Sequence, residues 1–210
     1  MTGGTTGVLL AAGRGQRMGA LKQLLPWGTG AAAKPLVAAA FDALAPACDT
    51  MIVVAGEDHP AIVEALHPRE FTTVIVDSNR EMFESIRAGL RKAQRLWPES
   101  DVLLHPADQP VIHPAIVEAL RAEARRHPNA AVMPEYIGRG GHPVLIPADM
   151  LAAIIAWSGP GGLRSFWENH PRLARRVAIN DASVLLDIDN PQEYAHAMDD
   201  VSGGAGRPSS

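Results

Sequence analysis

Short apolar runs rich in β-branched residues alternate with longer segments of helical period along most of this chain, and that alternation leaves few folds open to it. The runs are Gly7 to Ala12, Thr50 to Ala55, Thr73 to Asp77, Asp101 to His105 and Ala130 to Met133. Between them lie stretches with their own helix-start signals: Pro35 opens Leu36 to Leu44, Pro60 opens Ala61 to Leu66, and Pro114 stands near the start of Ala115 to Arg126. Proline suits a first helical turn because the N–H it lacks would have no partner there. A strand followed each time by a helix predicts an α/β domain, a mostly parallel sheet with helices on both faces. After Pro134 the rhythm changes. Gly138-Arg-Gly-Gly reads as a loop and Pro143 to Ile146 as a short strand; two helical stretches surround Ser158-Gly-Pro-Gly-Gly, and Ala174 to Asp189 reads as two more strands. This back half is expected to add a small antiparallel extension.

A chain of 210 residues, 47% of them hydrophobic, is long enough for one α/β core. No internal repeat and no long linker divides it. Residues 7–200 read as one domain; residues 1–6 and 201–210, built largely from Gly, Ser, Thr and Pro, read as flexible tails. A net charge of -4 with both signs interspersed lacks the basic footprint of a nucleic-acid binder. Cys48 has no second cysteine to bridge, which points to a reducing compartment. The longest apolar run near the amino terminus, Val8 to Ala12, is too short to span a membrane, and no positively charged segment precedes it. The expectation is a soluble, cytoplasmic protein with neither nucleic acid nor membrane as partner.

The stretch Leu9-Leu-Ala-Ala-Gly-Arg-Gly-Gln-Arg-Met-Gly-Ala-Leu-Lys-Gln-Leu-Leu-Pro begins as a buried strand and breaks into a loop at Gly13. Gly13, Gly15 and Gly19 let the backbone approach a ligand closely, so that successive N–H groups converge on phosphate oxygens. Arg14, Arg17 and Lys22 add positive charge, and the carboxyl end of a parallel strand is where open α/β sheets bind ligands. A dinucleotide fingerprint does not fit, because its third glycine position falls on Met18; nor does a P-loop, because Lys22 is followed by Gln23. A tight strand-to-helix turn with merely solvated cations is the plain alternative.

Leu-x-Ala-Gly-x-x-x-Arg-Met-Gly followed by Lys resembles the signature loop of the MobA-like nucleotidyltransferases, a family that includes molybdenum cofactor cytidylyltransferase and guanylyltransferase. The likeness continues through Pro35-Leu36, Asn79 to Leu90, Ala107-Asp-Gln-Pro110, Gly141-His-Pro-Val and Asp187-Ile-Asp-Asn-Pro. The resemblance implies a Rossmann-like nucleotidyltransferase domain. It further implies a nucleotide site formed by Leu10, Ala11, Ala12, Gly13, Arg14, Gly15, Lys22, Asn79 and Ser85, with Arg17, Lys22 and Asp108 catalytic and an acceptor side that includes His142 and Arg164.

Joining an anionic acceptor to the α-phosphate of a nucleotide requires a hard divalent cation, and Mg²⁺ prefers one or two carboxylates completed by water and phosphate oxygens. Asp108 follows the strand Asp101 to His105 in a tight turn, where a carboxylate would point off the sheet edge; turn formation alone would also explain an Asp there. The resemblance makes Asp108 a Mg²⁺ ligand. A second comes from Asp187 or Asp189, alternate residues that would share one side of a strand, while Asp189 or Asn190 could instead cap the helix that Pro191 begins. The remaining histidines, His59, His113 and His196 among them, show no ligand spacing and read as surface.

Ala11-Ala12-Gly13 resembles the cytidylyl branch, which favours CTP, although uridylyltransferases share the form. Where cofactor enzymes of this family carry Gly-Asp-Lys-Gly-Ala-Arg, this chain reads Gly159-Pro-Gly-Gly-Leu-Arg164, which leaves Arg164 alone to meet a pterin phosphate. The resemblance points to molybdopterin as the phosphorylated acceptor and to a molybdoenzyme or its chaperone as a protein partner. The altered loop keeps open a different triphosphate with a different phosphorylated acceptor, or a non-catalytic nucleotide sensor. A NAD-dependent oxidoreductase fits the sheet type but not the glycine pattern.

Overall fold

The computed structural model describes residues 3–13, 21–188 and 190–204. Its strands are β1 Thr5–Ala11, β2 Pro26–Trp27, β3 Lys34–Pro35, β4 Thr50–Ala55, β5 Thr72–Ile75, β6 Asp101–Pro106, β7 Ala131–Tyr136, β8 Arg139–Gly140, β9 Val144–Ile146 and β10 Ala174–Ala178. The helices are α1 Leu36–Leu44, α2 His59–Leu66, α3 Met82–Leu96, α4 Pro114–Arg126, α5 Leu151–Ala156, α6 Gly162–Asn169 and α7 Pro191–Gly204.

The main sheet has the order β10-β7-β9-β6-β1-β4-β5, with β8 paired to β7. β5, β4, β1 and β6 run parallel, as do β7 and β10; β9 lies antiparallel between β6 and β7. Chain order steps outward from β1 to β4 and β5, then returns through α3 to β6 on the other side of β1. That reversal leaves a crevice beyond the carboxyl ends of β1 and β6, the place where doubly wound sheets take ligands.

Strand alternation sorts the core into two layers. Leu9, Ala11, Val53 and Leu103 face α1, α2 and α4, where Phe41, Leu44, Ile62 and Leu120 cover them. Val8, Ile52, Val54 and Leu104 face α3, α5 and α6, meeting Ile86, Leu90, Ile154 and Phe166. Each such aliphatic side chain, fully buried, contributes about 1.5–3 kcal/mol before the entropy of ordering is set against it. Helix α3 lies unusually close to the sheet because Gly89 faces it: a Cβ there would stand 2.7 Å from Val8 Cγ1 and 3.0 Å from Val54 Cγ2. A third cluster ties the carboxyl-terminal segment to the hairpin of β2 and β3: Ile188 and Ala197 pack against Trp27, Leu36 and Ala39.

Three expectations about elements need correction. Residues 174–188 hold one strand, β10, followed by a 3-10 turn at Ala182–Leu185, where two strands were expected. The side chain of Asp181 accepts from Ser183 N at 2.9 Å, and this local turn competes with extension. Gly138-Arg-Gly-Gly is not all loop: Ile137 and Gly138, with φ 47° and 74°, make a tight reversal that pairs β8 with β7. Ordered elements also reach into both segments read as tails, since β1 begins at Thr5, with Thr6 fully buried, and α7 continues to Gly204. Among the described residues no helix is long and apolar enough to cross a membrane.

Candidate functional site

At the crevice lies a cavity of about 210 Å³, lined by Leu10, Ala12, Gly13, Lys22, Gln23, Ser78, Arg80, Met82, Ser85, Pro106, Asp108 and Asp187. Five parts of the fold supply these walls. The end of β1 gives Leu10, Ala12 and Gly13; the turn Lys22–Leu24 gives Lys22 and Gln23; the approach to α3 and its first turn give Ser78, Arg80, Met82 and Ser85; the end of β6 and the turn after it give Pro106 and Asp108; and the segment before α7 gives Asp187. Gly56, just after β4, permits the approach of Ser78, whose Oγ would lie 2.0 Å from any Cβ there.

The central contact is between Lys22 and Asp108, with Nζ 2.6 Å from Oδ2. Their side chains are only 10% and 17% exposed, so the pair feels a lower dielectric than a surface ion pair. The other oxygen of Asp108, Oδ1, is buried and has no hydrogen-bond partner. A carboxylate oxygen left this way fits a hard cation, and Asp187 supplies a second carboxylate to the same cavity. Among the described residues no group of three or more His, Cys, Asp and Glu converges on a metal position.

Among the described residues, most of those expected from sequence meet at this one place: Leu10, Ala12, Gly13, Lys22, Ser85, Asp108 and Asp187 all line the cavity. Ala11 does not. Strand alternation turns its side chain into the core beside α1 and α2, 3% exposed, and only its carbonyl faces the loop. Asn79 is exposed and holds Asp77 through two bonds to Oδ1, of 2.9 and 3.0 Å, while its neighbours Ser78 and Arg80 reach the cavity. Arg164 does not line the cavity either: α6 buries Phe166 and turns Arg164 outward, 89% exposed and paired with Glu168 at 3.0 Å. Asp187 is not on a strand, where an extended segment was expected. Arg14, Gly15, Arg17 and Asp189 lie outside the described residues.

His142 stands beside the site without lining it. Because β9 runs antiparallel to β6, with Val144 opposite Leu104, His142 two residues earlier is carried to the carboxyl end of β6, within reach of the charge of Asp108. Its backbone N–H donates to Val184 O at 3.0 Å, its ring bonds the Leu104 backbone, and Nδ1 is buried without a partner. Burial pushes the imidazole pKa down, against the opposing pull of Asp108.

Not all remaining histidines are on the surface. His105, 1% exposed on β6, donates to Gln109 O at 2.7 Å and meets His142 edge to face at 6.3 Å between centroids. Burial pushes its pKa down to about 3. Between pH 6.5 and that value the unfolded chain binds a proton that the folded chain refuses, so His105 makes stability fall as pH falls. From pH 7 to pH 5, wild type should lose about 2 kcal/mol more than His105→Gln. Urea unfolding at both pH values measures the difference, and equal losses would show that His105 takes a proton while folded.

Sequence reasoning also passed over Gln23, Ser78, Arg80 and Met82. Gln23 adjoins Lys22 and so had a positional signal; the other three are brought in by the placement of α3 against the sheet.

These features define an open α/β protein with a charged ligand crevice at its switch point. The MobA-like NTP transferase domain matches residues 7–175, and the chain belongs to that family. Nicotine blue oxidoreductase of Paenarthrobacter nicotinovorans is 30% identical over 198 residues, covering 90% of this chain and 93% of the relative. Molybdenum cofactor cytidylyltransferase of Escherichia coli (strain K12) is 25% identical over 194 residues, covering 91% and 94%. Among solved structures, the Rv0371c homolog from Mycobacterium sp. strain JC1 superposes with a TM-score of 0.79 at 27% identity, covering 95% of this chain and 97% of that one. Rv0371c of Mycobacterium tuberculosis H37Rv, in complex with manganese, superposes with a TM-score of 0.74 at 24% identity, covering 93% and 98%.

Proposed function

We propose that this protein transfers the nucleoside monophosphate of a triphosphate, CTP in preference, to a small phosphorylated acceptor, molybdopterin, and releases pyrophosphate. The observation that carries this reading is the cavity itself, where a partly buried Lys22–Asp108 pair and Asp187 meet the open end of β1 at the switch point. An oxygen of the acceptor phosphate attacks the α-phosphorus; the bond from that phosphorus to the oxygen bridging to the β-phosphorus breaks, and its electron pair leaves with pyrophosphate. An ionised phosphate needs no strong base, so the protein's work is positioning and charge stabilisation.

Lys22, with Arg17 of the same motif, holds the triphosphate; Asp108 and either Asp187 or Asp189 hold the metal. A divalent cation, Mg²⁺ here, would neutralise charge on the phosphates. The manganese complex of a structural neighbour and the cytidylyltransferase among the relatives support this assignment. Leu10, Ala12, Gly13 and Ser85 wall the nucleotide, and His142 lies toward the acceptor. The product passes to a molybdoenzyme or its chaperone in the cytoplasm.

The oxidoreductase among the relatives favours a second reading, a redox enzyme using the same crevice. A thermal-shift titration with CTP, GTP, ATP, UTP and NADH, each with and without Mg²⁺ or Mn²⁺, separates the two, because a ligand bound only by the folded state raises Tm by mass action. Selective stabilisation by CTP with metal is expected. Stabilisation by NADH alone would replace the transferase with the redox reading; no response to any triphosphate would remove nucleotidyl transfer.

A further inference from the structure

Gln23 is 2% exposed, yet it lines the cavity next to Lys22. Its amide nitrogen Nε2 donates to Gly13 O at 2.6 Å and reaches Ala11 O at 3.4 Å. Both partners are carbonyls and can only accept, so the orientation of the carboxamide is fixed by its surroundings: nitrogen toward the strand end, oxygen away from it. The contact ties the turn at residue 23 to the last residue of β1 and to the first glycine of the loop. A trans peptide points its N–H opposite to the preceding C=O. With the Ala11 carbonyl held toward Gln23, the Ala12 N–H is turned away from it.

A purely structural pin would be satisfied at both ends of the amide. This one is not, because Oε1 is buried with no donor. An unsatisfied buried acceptor lowers stability, and an apolar side chain of the same length would avoid that cost. We propose that Gln23 is a positioning and specificity-determining residue of the nucleotide site, whose Nε2 holds the strand-to-loop junction in its binding form and whose Oε1 accepts a hydrogen bond from the nucleoside. This rests on the nucleotide reading of the cavity. The triphosphate carries oxygens that accept, so the donor is either an exocyclic amine of the base or a ribose hydroxyl.

The test is calorimetric binding of CTP, UTP, 2′-deoxy-CTP and 3′-deoxy-CTP, each with Mg²⁺, to wild type and to Gln23→Met. Wild type should bind one analogue about tenfold more weakly than CTP: UTP if the base amine is the donor, a deoxy analogue if a hydroxyl is. Gln23→Met should bind CTP at least about tenfold more weakly and lose that preference, with a ligand-free Tm close to wild type. A wild type that binds CTP and all three analogues equally overturns the proposal without recourse to a variant, as does a folded Gln23→Met that keeps both affinity and preference. Wild type binding no triphosphate at all would instead overturn the nucleotide reading, and this proposal with it.

Discussion

Lys22→Ala should lower turnover by about a hundredfold or more while the protein remains folded. The ammonium is held within a mostly buried setting, 2.6 Å from Asp108, and a preorganised cation aimed at developing phosphate charge is worth about 10²–10³ in rate. The backbone around it does not depend on the side chain: Leu24 N still donates to Leu21 O and Leu25 N to Lys22 O. Truncation does leave Asp108 short of one partner, so Tm should fall by a few degrees without loss of cooperativity. Steady-state turnover with CTP and Mg²⁺, alongside a circular-dichroism melt, reads both effects. Unchanged turnover in a folded variant would take Lys22 out of the mechanism.

The second large effect is expected from Asp108→Asn, which keeps the shape of the side chain and removes its charge. Divalent-metal-dependent activity should disappear, and Mn²⁺ binding followed by electron paramagnetic resonance in the presence of CTP should weaken by at least about tenfold. Retention of full activity would sink the metal assignment. Because Lys22 and Asp108 contact one another and are proposed to serve one triphosphate and its metal, their effects should not add. The double variant should be little worse than the poorer single one.

Much of this architecture was legible in the sequence because its signals are local. The strand runs from Thr50 and Asp101, the prolines opening α2 and α4, and the break at Gly13 each depend on a few neighbouring residues. Lys22, Ser85, Asp108 and Asp187 could be singled out because the family motifs carry them, and they line one cavity. What escaped was set by tertiary contacts. The antiparallel insertion of β9 between two parallel neighbours has no signature in Val-Leu-Ile. That Arg164 turns outward, away from the cavity, is set by the packing of Phe166 beneath α6. His105 reads as one more scattered histidine until β6 places it in the interior. The role of Gln23 depends on two carbonyls that lie ten and twelve residues earlier in the chain.

The anchoring of Ile188 against Trp27 and Leu36 bears on how the crevice comes into being during synthesis. Strands β1, β4, β5 and β6 are all made before residue 107, and they can pair as soon as they leave the ribosome. Asp187 arrives far later, and it is held in place by a residue that must dock on a hairpin near the start of the chain. A nascent chain would therefore own a folded sheet and the Lys22–Asp108 pair well before it owned the second carboxylate. A premature stop shortly before the codon for Asp187 would yield a protein with the crevice but without its far wall.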